Sequence, residues 1–228
     1  MEQRKEFGQG ILFTFTNYVY WISLTNIYFI LANIVFLFFF MTLTPTFSNI
    51  ILYFLALIPS GPAISGILYS MGKLIHEKEL SPTKDFLYGY KTKVKSTLFL
   101  WSQILLIYFI LLVDLQYLRQ SASDTNQVLS IVIFILMIVG VMVCINALTI
   151  NSHFNFRLRD IWKLSMYYCF NKVKCTLGNF FILFLVGVAT VITTNFLILF
   201  VSSIVAYLIL LNQQEMLEDV KKNFVKQG

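Results

Sequence analysis

The stretch ALIPSGPAISGILYSMGKL, residues 56–74, sets two prolines and several glycines in the middle of an apolar run. Pro59 and Pro62 each remove a backbone donor and crowd a preceding carbonyl, so a helix here must bend or stop near residues 58–62. The twelve apolar residues 47–58 cannot cross a bilayer alone, since a helical span takes about 20. The reading is one discontinuous span whose second half starts at Pro62, with Ser60 as a candidate cap. Pro59, Ser60, Gly61, Pro62 and Ala63 form the candidate functional break.

Two explanations of the break compete. Free helix ends present unpaired N–H and C=O groups at membrane depth, which is how discontinuous helices hold ions and solutes. Alternatively, Gly61, Ser65, Gly66 and Ser70 form a small-residue face for close helix packing, and the prolines only kink it. A second broken helix in a corresponding position would favour transport. The sequence marks none, so the bend is preferred.

Moving outward, the surroundings belong to a membrane protein. The 228 residues are 58% hydrophobic and only 12% charged, against about a quarter charged in soluble domains. No Asp, Glu, Lys or Arg occurs between Glu6 and Lys73, and further uncharged runs cover 96–113, 125–156 and 175–214. The spans expected are about 21–42, 46–73, 96–117, 128–150, 176–192 and 195–212. The last two rest on length: 40 uncharged residues in one helix would reach about 60 Å, twice the hydrocarbon thickness. A turn is therefore placed at ITTN, residues 192–195. The charged N-terminus precedes an apolar segment too long for a signal peptide, and no cleavage is expected.

Six spans put both termini, the 2–3 segment and the 4–5 segment on one side. That side holds every Lys and Arg except Arg119, so the positive-inside rule makes it cytoplasmic. The net charge of +6 is thereby explained by topology rather than by nucleic acid, which is not expected as a partner. The fold class is all-α: a polytopic membrane helix bundle of about six spans, with a Pro/Gly-broken second helix and two cytoplasmic amphipathic helices, forming one domain in the bacterial cytoplasmic membrane.

Two segments beside the spans have amphipathic patterns. In SPTKDFLYGYKTKVKSTL, residues 81–98, Ser81 is a good N-cap and Pro82 suits the first turn. Phe86, Leu87, Tyr90, Val94 and Leu98 share an arc flanked by Lys84, Lys91 and Lys95. In residues 157–172, Leu158, Ile161, Trp162, Met166 and Cys169 oppose Arg159, Asp160 and Lys163. Such basic helices lie on anionic headgroups or dock a partner. Phe86, Tyr90, Lys91, Lys95 and Trp162 are the candidate docking residues.

The order of these parts resembles the YesL-like family of bacterial integral membrane proteins, a domain of unknown function. The resemblance is carried by Gly61-Pro62-Ala63 within PSGPAISGILYS and by Asp85-Phe86 through Lys95-Ser96. It implies an accessory role in carbohydrate uptake or envelope metabolism, and it supplies no catalytic residues.

Little in the chain does chemistry. Asp114 and Arg119 suit an interfacial place, His76 and His153 lack ligand-spaced companions, and GxSxG, P-loop and HExxH patterns are absent. No catalytic residue, metal or cofactor is expected. Cys144, Cys169 and Cys175 read as reduced filler. The uncharged amides are more informative: Asn26 and Asn33 share a stripe of the first span, while Gln103 and Asn146 come from the third and fourth. Amides in hydrocarbon seek partners, so helix-to-helix hydrogen bonding is expected of them, with a polar solute path as the alternative.

These readings predict a non-enzymatic accessory protein that docks a sugar-transporter complex or itself. The alternative is a small transporter or channel with its path at the broken second helix. The coupling loop of an ABC permease is missing from residues 73–95.

Overall fold

The computed structural model describes residues 11–120, 123–193 and 197–225. Among these residues eleven α-helices follow one another: α1 Ile11–Ala32, α2 Ile34–Thr42, α3 Ile50–Leu57, α4 Ser60–Glu77, α5 Pro82–Thr92, α6 Val94–Arg119, α7 Asp124–His153, α8 Leu158–Asn171, α9 Val173–Ile192, α10 Leu197–Asn212 and α11 Gln214–Phe224. Among the described residues there is no strand.

Among the described residues three helices, α6, α7 and α9, are long and apolar enough to cross a membrane, or up to five if each of two bent pairs is one span. The pairs are α1 with α2, bent by 65°, and α3 with α4, bent by 51°. The apolar part of α10, Val201–Asn212, is shorter. The turn expected at residues 192–195 begins where α9 ends, but residues 194–196 lie outside the described residues.

Two local expectations are corrected. The first span starts well before Trp21 and bends at Asn33, whose side chain was expected to continue the stripe of Asn26. In the second span α4 starts at Ser60 rather than Pro62. Pro62 therefore falls in the first turn, where its missing N–H has no intrahelical acceptor to lose. The cap position is Pro59, and Ser60 caps nothing.

The centre of the bundle is α4, which packs against α1, α5, α6, α7 and α10. Its small residues make this possible. A Cβ added at Gly61 would fall 2.8 Å from Trp101 of α6, and one at Gly66 would fall 3.0 Å from Phe86 of α5. Ser65 and Ser70 are buried on the same helix, and the Ser70 hydroxyl is absorbed by the Gly66 carbonyl one turn back. Close backbone approach is how helices associate in lipid, where apolar area alone gives no advantage.

Side-chain bonds fix the neighbouring pairs. Tyr108 of α6 donates to the Met137 carbonyl of α7 at 2.8 Å, and Lys93, just before α6, reaches the last turn of α7, so the two helices run antiparallel. Asn212 at the end of α10 donates to the Cys175 carbonyl at the start of α9, making a second antiparallel pair. Tyr168 of α8 donates to Asp219 of α11 at 2.7 Å. α5, α8 and α11 thus gather at one end of the bundle, together with every described Lys and Arg except Arg119.

At that end Lys78, in the left-handed region at φ 56°, terminates α4. The following helix α5 opens at Ser81 and Pro82 as its sequence suggests, but the Ser81 side chain makes no cap bond. Asp85 instead reaches back to accept the Ser81 N–H at 2.8 Å, and its other oxygen pairs with Lys73 of α4 at 2.8 Å.

Candidate functional site

The break between α3 and α4 is closed by a neighbour. A proline at 59 and a helix restart at Ser60 leave the Leu57 carbonyl without its usual partner, and the Trp101 indole N–H donates to it at 2.7 Å. Gly61 makes room for this, because its missing side chain is the space in which the Trp101 ring lies. The Gly61 N–H still reaches the Ile58 carbonyl at 3.3 Å. What remains open is the Ser60 hydroxyl, 4% exposed and without a hydrogen-bond partner among the described residues.

Beside the break lies a cavity of about 520 Å³, walled by Phe29, Leu57, Ile64, Trp101, Tyr108 and Ile145 among others. Its lining is almost wholly apolar. A sugar would leave its hydroxyls unpaired there, at a cost of a few kcal/mol for each. The cavity suits hydrocarbon, and the break offers no ring of polar groups to a solute.

Three of the four intramembrane amides bond across helices. The Asn26 side-chain oxygen of α1 accepts the Ser203 N–H of α10 at 3.1 Å, across 177 residues of sequence. Asn146 of α7 accepts from Gln213 at 2.8 Å, and its own amide reaches the Ser165 carbonyl of α8 at 3.4 Å. Gln103 of α6 accepts the Trp162 indole N–H of α8 at 3.1 Å, which joins an amide candidate to a docking candidate. Asn33 differs: it donates to Phe29 of its own helix at 2.8 Å. Sequence reading did not single out Gln213, which is fully buried, or Asn179, which accepts from Asn212 at 2.8 Å. Both are uncharged amides within or beside an apolar run, the signal that flagged the other four.

The docking candidates separate. Phe86 is 2% exposed, its ring stacked on Tyr28 and its edge against Gly66, so it belongs to the core. Tyr90 and Trp162 are half-buried. Leu87 and Tyr88 point outward from α5 instead. On α8 the buried face is Ile161, Leu164, Ser165, Tyr168 and Cys169, whereas Met166, expected on that face, is exposed beside Tyr167 and Phe170. α8 therefore has a second apolar face that nothing among the described residues covers.

Lys91 and Lys95 are exposed and flank Lys93, whose ammonium donates to the Asn151 and Phe154 carbonyls at 2.8 Å each. Burial lowers the Lys93 pKa from the usual lysine value. The carbonyls it meets lie at the C-terminal, negative end of α7. Ser96 and Thr97 of α6 complete the joint through Asn151, at 2.7 and 2.9 Å. No group of three His, Cys, Asp or Glu suited to a metal ion occurs among the described residues.

Residues 22–115 match the family model described as a protein of unknown function, DUF624. That segment contains both bends, α5 and Trp101. No curated protein and no solved structure matches the chain.

Proposed function

We propose that the chain is a non-enzymatic protein of the bacterial cytoplasmic membrane that works by docking to a membrane complex, in carbohydrate uptake or envelope upkeep. The observation carrying this reading is the pair of outward faces left on helices whose other faces are fixed in the bundle: Leu87 and Tyr88 on α5, and Met166, Tyr167 and Phe170 on α8. A six-span topology, counting α10 and each bent pair as one span, sets these faces on the cytoplasmic side, where the basic residues belong. The DUF624 match is compatible with the YesL-like resemblance and lends the sugar context no further weight. A solute path at the broken helix draws less support, because Trp101 closes the break and the adjoining cavity is apolar.

The test is cross-linking in native membranes with photoreactive residues at Tyr88 and Phe170, and at lipid-facing Leu136 as control. Capture of a sugar-transporter subunit from the first two positions and not from the third is expected. Recovery of lipid alone from all three, or sugar flux through the purified protein in liposomes, overturns the reading.

A further inference from the structure

Where α5 passes into α6 and α7 passes into α8, the chain encloses a concavity of about 690 Å³. Its walls carry Lys91, Lys95 and Arg157, all exposed and none within ion-pair distance of a carboxylate among the described residues. The fourth cation, Lys93, is already committed to two carbonyls and ties the start of α6 to the end of α7. It forms a fixed floor rather than a free charge. Thr92 and Asn155 add neutral polar groups that make no hydrogen bond among the described residues, and Phe154 and Phe156, ring centroids 5.7 Å apart, add an aromatic side.

We infer that this concavity binds a phosphate group. Three like charges around one hollow favour an anion between them, and the Lys93 joint fixes the two backbone segments from which they project. Phosphate suits the donor set, since Arg157 offers a planar fork and the lysines offer point charges. Depth favours a lipid source. Both helices that end here are long enough to cross the membrane, so the hollow lies at headgroup level, where basic pockets between spans hold anionic lipids and aromatic rings settle at the interface. The ligand is thus the phosphate of an anionic phospholipid, held at a defined place rather than in a diffuse layer. The inference is independent of the docking reading, which concerns the outward faces of α5 and α8.

The experiment uses the full chain in detergent. Native mass spectrometry follows retention of added phosphatidylglycerol and phosphatidylcholine, and melting curves follow the response to millimolar inorganic phosphate. Wild type is compared with Lys91→Ala/Lys95→Ala/Arg157→Ala and with a remote variant of equal charge loss, Lys163→Ala/Lys172→Ala/Lys174→Ala. Phosphatidylglycerol binding is expected to weaken by about 100-fold in the first and little in the second, taking about fivefold for each cation. If the triple variant fails to fold, Arg157→Ala alone should show about a fivefold loss. Equal weakening in both triple variants, or equal retention of phosphatidylcholine by wild type, overturns the inference. Stabilisation of wild type but not of the pocket variant by inorganic phosphate, with phosphatidylglycerol inert, keeps the phosphate site and assigns it to a soluble source.

Discussion

The two N-terminal apolar segments bend by similar angles, 65° at Asn33 and 51° at Pro59, through opposite means. At Asn33 the bend is closed from within: the side-chain amide returns to Phe29, and the helix beyond it, α2, buries no residue. At Pro59 it is closed from outside, by an indole that reaches Leu57 from 44 residues further on, and the helix beyond it, α4, is the centre of the bundle. A self-closed bend needs no particular neighbour. One closed by another helix locks two helices in register, so the Pro59 break is a packing joint.

The most severe way to break this contrast is Gly61→Leu. Its side chain would occupy the space of the Trp101 ring and part the indole from Leu57, an overpacking we expect to cost about 3 kcal/mol or more. Thermal denaturation in detergent reads the loss, and a wild-type melting temperature would refute the joint. Trp101→Phe is milder, keeping an aromatic ring while orphaning the Leu57 carbonyl, for about 1–3 kcal/mol in the same assay. Water entering the break in place of the indole would show as an unchanged melting curve.

Asn33→Leu sharpens the other side. About 1 kcal/mol should be lost with the Phe29 bond, but the α1–α2 angle should open, lengthening the distance between spin labels at Val19 and Met41. That distance should stay constant in Trp101→Phe. Persistence of the bend without the amide would mean that packing, not Asn33, sets it. Gln103→Leu, outside both bends, provides the scale: losing the bond from Trp162 should cost about 0.6 kcal/mol, and a larger loss would make this the stronger joint.

The sequence made some of this legible. Pro59 announces its break because proline acts on its own backbone, and the small residues of α4 announce close packing because only they admit it. The bend at Asn33 was hidden, since an asparagine inside a helix is as compatible with a bond to a neighbour as with one to its own turn. Trp101 was hidden for a different reason: its partner is a backbone carbonyl, which carries no side-chain signature. The arc of α5 is legible as apolar but not as inward-facing at Phe86, because periodicity does not distinguish a lipid-facing ring from one set against Gly66. On α8 two apolar faces overlap around one short helix, and the arc drawn from sequence mixed them at Met166. The basic hollow needs the meeting of residues 91–96 with 151–157, which no local pattern reveals.

The central place of α4 also has a consequence in time. Synthesis runs from the N-terminus, so α4 leaves the ribosome before four of the five helices that surround it. Until α10 arrives, Asn26 lacks the Ser203 backbone it accepts from, and one flank of α4 faces lipid. The nascent protein must carry its central helix with an unfinished surface through most of its own translation. A chain stopped short of α10 keeps that flank of α4 uncovered permanently.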